Sequence, residues 1–108
     1  MIPGRSHQVD EGSAVVDFVR NVVAYAAAEG AHLSAVADQG PIAGQRRAVE
    51  VVHQVLGRRF VVRATGFTQT INGTPMSAMR VEAPLPVLGP WLGAGSIAAT
   101  GHALLEPR

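Results

Sequence analysis

The hydrophobic pattern of this 108-residue chain changes its period once, close to Gly57. Before that point apolar residues recur every three or four positions, as they do along one side of an α-helix. After it they alternate with polar residues, as in a strand that buries one face. The pattern therefore predicts helices in the first half of the chain and strands in the second.

The helical half predicts two helices. The first begins at Ser13, an N-cap type of residue, and runs to about Ala37. Its apolar stripe is formed by small and β-branched residues: Val16, Val19, Val23, Ala26, Ala27, Gly30 and Leu33. The segment Asp38-Gln39-Gly40-Pro41 then turns the chain, because glycine and proline interrupt helices.

The second helix is expected from Ile42 to Leu56, with Gly57 as its C-terminal stop. The apolar residues predicted to face inward are Ala48, Val49, Val52, Val55 and Leu56. The polar residues predicted to face outward are Arg46, Arg47, Glu50, His53 and Gln54.

Three strands are predicted after Gly57. The first is Phe60 to Phe67, which is rich in β-branched and aromatic residues. Asn72-Gly73 is a hairpin signal, although the following Thr74-Pro75 favours a loop longer than two residues. The return strand should bury Met79, Val81 and Ala83 and expose Arg80 and Glu82. A glycine-rich connection then leads to a last strand, Ser96 to Leu105.

These elements predict an α+β fold, with two helices covering one side of a three-stranded antiparallel sheet. Residues 1–12 have no periodicity and are expected to form a flexible leader, whereas 13–108 form a single domain. The longest apolar stretch, Ala14 to Ala28, contains Asp17, Arg20 and Asn21 and is too short to cross a bilayer. The chain as written is therefore expected to be soluble.

The charge and the lack of cysteine exclude several kinds of functional site. A formal net charge of +1 gives no strong attraction to nucleic acid, and the absence of cysteine excludes disulfides and thiolate metal sites. Glu29 and His32 lie one helical turn apart but lack the third ligand of a catalytic zinc site, so a solvated helix face is expected. His53 and His102 are interpreted as surface histidines.

No catalytic constellation is found in the sequence. The serines that were considered as nucleophiles lie outside any nucleophile-elbow context: Ser13, Ser34, Ser77 and Ser96. The arginine pairs Arg46-Arg47 and Arg58-Arg59 could contact phosphate, but a solvated surface is the better interpretation. The chain is therefore expected to be no enzyme and to hold neither cofactor nor metal.

The start of the predicted domain has a distinctive order of residues. Asp10-Glu11-Gly12-Ser13-Ala14 leads into an apolar run and the pair Asp17-Phe18. The alanine-rich segment Arg20 to Ala31 follows, and Val81 to Leu88 and Ala99 to Ala103 close the domain. In this order the chain resembles the TadE-like family, minor pseudopilins of tight-adherence (Flp) pilus systems, in an actinobacterial form.

The resemblance implies a processing site. A prepilin peptidase would cleave between Gly12 and Ser13, and Asp17, followed by Phe18, would be the acid at the fifth mature position. Between Val19 and Arg20 the family would have about 20 more apolar residues, enough to cross a bilayer. The resemblance implies that this segment has been removed, which would leave an apolar stub at Val15 to Val23 open to self-association.

Two functions remain open. The first is a non-enzymatic pilin-like component that contacts other pilus subunits, from a parent anchored in the bacterial cytoplasmic membrane or built into a surface pilus. The second is a small soluble module that binds a ligand or partner, with Trp91 as a contact residue, although Trp91 also suits a role in the domain's own core. A homodimer through the first helix is a further expectation.

Overall fold

A computed structural model describes residues 11–36, 39–84 and 96–105, without the side chains of 11–13. The elements, in chain order, are α1 (Glu11–Ala35), α2 (Gly40–Leu56), β1 (Arg63–Ile71), β2 (Thr74–Pro84) and β3 (Ser96–Leu104). The strands form one antiparallel sheet in the order β1-β2-β3. Both helices pack on one face of it, α1 mainly over β3 and β2 and α2 mainly over β1. The predicted α+β architecture is confirmed.

Most of the apolar stripe of α1 is buried as predicted, whereas Val16 and Leu33 are half-buried. Val23, Ala26 and Ala27 have no exposed surface and Val19 is only 5% exposed. The described part of α1 runs from Glu11, so it includes the two residues before the predicted start at Ser13. The boundary drawn between residues 12 and 13 therefore falls inside α1. The predicted end near Ala37 lies outside the described residues.

The helix α2 also begins earlier than predicted, at Gly40, with Pro41 in its first turn, where a missing N–H costs nothing. Gly57 ends it as predicted, with φ of 100° and its N–H bonded to the carbonyl oxygen of His53 at 3.0 Å. The inward set was partly wrong. Gly44 and Val51 are buried, whereas Val55 is 51% exposed, because Leu56, about 100° further around the helix, packs against the core in the last turn.

The first strand lies later in the chain than predicted, at Arg63–Ile71. Phe60 is outside it because the turn after α2 uses its backbone. Its N–H donates to the Gly57 carbonyl oxygen at 3.2 Å, and its own carbonyl oxygen accepts from His53 Nε2 at 3.1 Å. A residue held at both backbone groups in this way is not available to a sheet ladder.

The hairpin turn is shorter than predicted. Ile71 pairs directly with Thr74, so the loop is Asn72-Gly73 alone. Both residues have positive φ, 52° and 81°, as a type I′ turn requires. Pro75 is tolerated in β2 because it lies beyond the end of β3, whose pairing with β2 begins at Met76.

The two later strands alternate as predicted. Met79, Val81 and Ala83 have no exposed surface, and on β3 Ile97 is only 4% exposed. Arg80 and Glu82 lie on the helix-free face of the sheet, where their side chains pair at 3.4 Å. Leu105, predicted to end the last strand, follows β3 and is 40% exposed. Strand pairing along β3 thus ends at Leu104.

Small residues set how closely these elements approach. A Cβ added to Gly101 of β3 would lie 2.6 Å from the carbonyl oxygen of Ala27, so α1 rests directly on the β3 backbone. A Cβ at Gly66 of β1 would lie 2.8 Å from Cβ of Pro41 in α2. Glycine is thus required at both helix-to-strand contacts for steric reasons.

Candidate protein-contact surface

The side of α1 that points away from the sheet carries two exposed aromatic residues. Phe18 is 53% exposed and Tyr25 is 57% exposed. They are seven residues apart, which is about 10 Å along a helix. We call this side the outer face of α1, formed by the exposed residues Ala14, Phe18, Asn21, Tyr25 and His32.

These aromatic side chains contribute little to the core. The opposite stripe of α1 contacts the sheet and α2 through valine, alanine and glycine, and it leaves no room for rings. Large apolar residues exposed next to each other on a helix are typical of surfaces that another protein covers. The outer face of α1 is therefore the strongest candidate for a protein contact in the described part of the chain.

The electrostatics of this face also suit a contact. None of its five residues is a carboxylate, lysine or arginine. At its margin, Arg20 donates to Asp17 Oδ1 at 3.3 Å, and both side chains are more than half exposed. An exposed pair of this kind adds little stability but leaves the margin without net charge. A partner could therefore bind over the aromatic rings without desolvating an unpaired charge.

The residues of the predicted processing site all lie on α1. Gly12 and Ser13 belong to its first turns, and the structure describes only their backbone. Asp17 and Phe18 are both exposed, one turn further along the helix. Trp91, the other predicted contact residue, lies outside the described residues, so its proposed role stays a prediction.

The expected apolar stub is only partly present. Val19, Val22 and Val23 are buried in the core, and only Val15, at 46%, and Phe18 are strongly exposed. The helix also continues without a break across Val19-Arg20. This part of α1 is thus an integral part of the domain, and its exposed apolar surface is confined to one side.

Glu29 and His32 do not form a site together. The Glu29 carboxylate accepts from Arg47 of α2 at 3.5 Å, whereas His32 is exposed. Arg47 also donates to Glu50 at 2.7 Å, and this hydrogen bond is the main reason that the pKa of the Arg47 guanidinium is raised. Within residues 11–36, 39–84 and 96–105, no three potential metal-binding side chains come together.

The remaining histidines have structural contacts. His53 holds the turn after α2 through the Phe60 carbonyl, as described above. His102 of β3 donates from Nε2 to Gln69 Oε1 of β1 at 2.8 Å. This bond crosses the helix-free face of the sheet and spans β2, so it ties the two outer strands together.

Three of the four serines, Ser34, Ser77 and Ser96, have no hydrogen bond to a basic side chain within the described residues. Ser34 and Ser77 are buried, at 6% and 4% exposed, and Ser96 is exposed at the start of β3. The Ser34 hydroxyl has no hydrogen-bond partner among the described residues. A nucleophilic serine needs a base within hydrogen-bonding reach, so these positions give no support to hydrolase chemistry.

The arginine pairs lie near a hollow of about 370 Å³ on the outer side of α2. Its lining is mostly polar: Arg46, Val49, Glu50, His53, Gln54 and Arg58. Arg47 already holds the carboxylate of Glu50. Small-molecule sites are usually enclosed and mostly apolar, so the hollow is better explained as a solvated groove.

The sequence analysis did not identify Tyr25 as a contact residue. The signal was present, because Tyr25 repeats the position of Phe18 two helical turns later and opposite the apolar stripe.

The chain was compared with family models, with curated proteins and with solved structures. It matches none of them significantly.

Proposed function

We propose that this chain is a minor pilin-like, TadE-like component of a bacterial tight-adherence pilus or related secretion system, which acts through protein contacts and not as an enzyme. The observation that carries the proposal is the exposed aromatic side chain of Tyr25, 57% exposed on the outer face of α1. An assembly subunit needs such a surface, because burying aromatic side chains supplies much of the energy of protein association.

The fold supports the proposal in a second way. Two segments that carry the family resemblance, both among the described residues, fall on elements that pack together. The alanine-rich segment lies on α1, and the closing segment Ala99 to Ala103 lies on β3 directly beneath it. The backbone of Ala27 rests against Gly101. These two segments of the resemblance thus belong to elements that pack on each other.

The proposed parent has an apolar membrane segment between Val19 and Arg20. With such an insertion, Val22, Val23 and Tyr25 would keep their positions in the domain, whereas Phe18 and Val19 would move away from it. No helix within the described residues is long and apolar enough to cross a bilayer. In the proposed parent, a prepilin peptidase cuts after Gly12, the inserted segment anchors the protein, and the domain lies outside the cytoplasmic membrane or in a surface pilus.

Complementation in the source bacterium tests this function. A strain that lacks the parent gene would receive the wild-type gene, the variant Y25A, or the control F67A. Phe67 is an exposed aromatic residue on the helix-free face of the sheet, at 40%. We expect Y25A to give fewer surface pili than the wild-type gene at unchanged protein level. The control F67A should restore pili as the wild-type gene does. Normal piliation in the deletion strain would overturn the proposed function.

A further inference from the structure

Among the described residues, β3 forms an edge of the sheet with little protection. Within the described residues it pairs with β2 alone, and its nine residues include no charged side chain and no proline. Edge strands usually carry such residues, because an open row of backbone N–H and C=O groups pairs readily with another strand. The other edge is better protected, since β1 begins with Arg63 and the Gln45 side chain of α2 accepts from the Gly66 N–H at 2.8 Å.

The sequence of β3 suits pairing with a second copy of itself. An antiparallel arrangement with its two-fold axis at Thr100 places Thr100 opposite the same residue of the second copy. On the helix side Ala99 then faces Gly101, and Ile97 faces Ala103. On the helix-free side Ala98 faces His102, and Ser96 faces Leu104. Like charges are not opposed anywhere along this pairing, and apolar residues meet on the side that continues the core.

The position of α1 also suits this arrangement. The helix lies over both β2 and β3. Strands are about 4.8 Å apart, so a helix axis midway between β2 and β3 lies about 5 Å from the two-fold axis. The α1 helices of two copies would then be about 10 Å apart, which is the upper end of the usual spacing for packed helices.

The middle of the α1 flank that would face its copy carries small residues, whereas the exposed pair Asp17 and Arg20 lies nearer the start of the helix. Ala24 and Ala28 are exposed. They lie roughly 120° to 160° around the helix from Gly30, the residue that contacts α2. This free flank is therefore on the β3 side of α1, and its alanines let a second helix approach without rearranging large side chains.

We propose that two copies of this chain associate through β3 about a two-fold axis at Thr100. The two three-stranded sheets become one continuous antiparallel sheet, and the α1 helices pack side by side through Ala24 and Ala28. This interface differs from the outer face of α1, so the dimer and the proposed function can fail independently. It also assigns the first helix a secondary part in the dimer, with β3 as the main contact.

Sedimentation of the purified chain tests the proposal, with circular dichroism to check that each variant folds. We expect the wild type to form a concentration-dependent dimer. T100K places two ammonium groups opposite each other and should raise the dissociation constant about tenfold or more. T100E should do the same with carboxylates. An equimolar mixture of T100K and T100E should restore dimers, because position 100 then pairs opposite charges.

The control is T65K. Thr65 and Thr100 both pair with Arg80, one on each side of β2, so the two lysine variants differ mainly in which edge they charge. T65K should keep the wild-type dissociation constant. Amide exchange gives a second readout on the unmodified chain: β3 amides should exchange more slowly at dimer-forming concentrations, whereas β1 amides should not change. A monomeric wild type, a T100K dimer of unchanged affinity, or unchanged β3 exchange would overturn the proposal.

Discussion

Gly30 and Gly44 bring the two helices into backbone contact, since a Cβ on Gly30 would lie 2.8 Å from the Gly44 carbonyl oxygen. A Cβ on Gly44 would overlap both the Gly30 carbonyl oxygen and Ser34 Oγ. Helices usually pack with side chains between them, at interaxial distances of about 8 to 10 Å. Here the crossing depends on two positions that have no side chain.

The first prediction concerns whether Gly44→Ala raises or lowers the free energy of unfolding. Helix propensity alone predicts that Gly44→Ala stabilises the protein by about 1 kcal/mol. The steric overlap at the crossing predicts the opposite, a loss of about 2 kcal/mol or more in the free energy of unfolding. Urea denaturation of the two proteins decides between these signs. An equally stable or more stable G44A protein would contradict the described crossing.

A second prediction concerns the buried hydroxyl at the same crossing. Ser34 Oγ has no hydrogen-bond partner among the described residues, so the free-energy cost of burying this hydroxyl is not offset by a hydrogen bond to them. Ser34→Ala should therefore leave the free energy of unfolding unchanged or raise it by about 1 kcal/mol. Ser34→Val is the steric control and should destabilise, because its extra methyl group has to fit against Gly44. A large loss in S34A would reveal a hidden hydrogen bond.

Met79 supplies the third prediction, because its side chain fills the space where three glycines meet. Positions that a Cβ would take on Gly30, Gly44 and Gly66 lie 2.9 to 3.0 Å from Met79 side-chain atoms. Met79→Ala should cost about 3 kcal/mol in the free energy of unfolding, by leaving a cavity there. Met76→Ala, on the helix-free face of the same strand, should cost less than about 1 kcal/mol. Equal losses in thermal or urea unfolding would show that Met79 does not fill this space.

The fourth prediction concerns the protected edge of β1. Removing the Gln45 side chain leaves the Gly66 N–H without its acceptor, so Gln45→Ala should destabilise by about 1 kcal/mol. The Gly66 amide should also exchange its hydrogen faster. Gln54→Ala, an exposed position on the same helix, should change stability by less than about 0.5 kcal/mol. Unchanged Gly66 exchange in Q45A would show that Gln45 does not protect this edge.

The overall architecture was predictable because strong periodicities determined it. The alternation of Met79, Val81 and Ala83, and the three- and four-residue spacing of Val19, Val23 and Ala27, both depend on local geometry alone. The start of β1 was not predictable in the same way. Phe60 has a high β-propensity, but the hydrogen bond from His53 to its carbonyl oxygen holds its backbone in a turn.

The candidate surface was less predictable than the fold. Gly30 could be expected to have a packing reason, but its partner Gly44 could not be identified, because that contact depends on how two helices cross. The exposure of Tyr25 likewise depends on the side of α1 that the sheet covers. Local patterns predict which residues form an element, whereas these contacts depend on tertiary packing.

The most direct measurement of the central claim is site-specific photo-crosslinking from Tyr25 in the source bacterium. A photoreactive phenylalanine analogue would replace Tyr25 in the parent protein, with Phe67 as the matched position on the other side of the domain. Ultraviolet illumination and mass spectrometry then identify the captured protein. We predict that position 25, and not position 67, crosslinks to another subunit of the same pilus system. Capture of pilus subunits only from position 67, or of none from either, would contradict a pilin-like role through the outer face of α1.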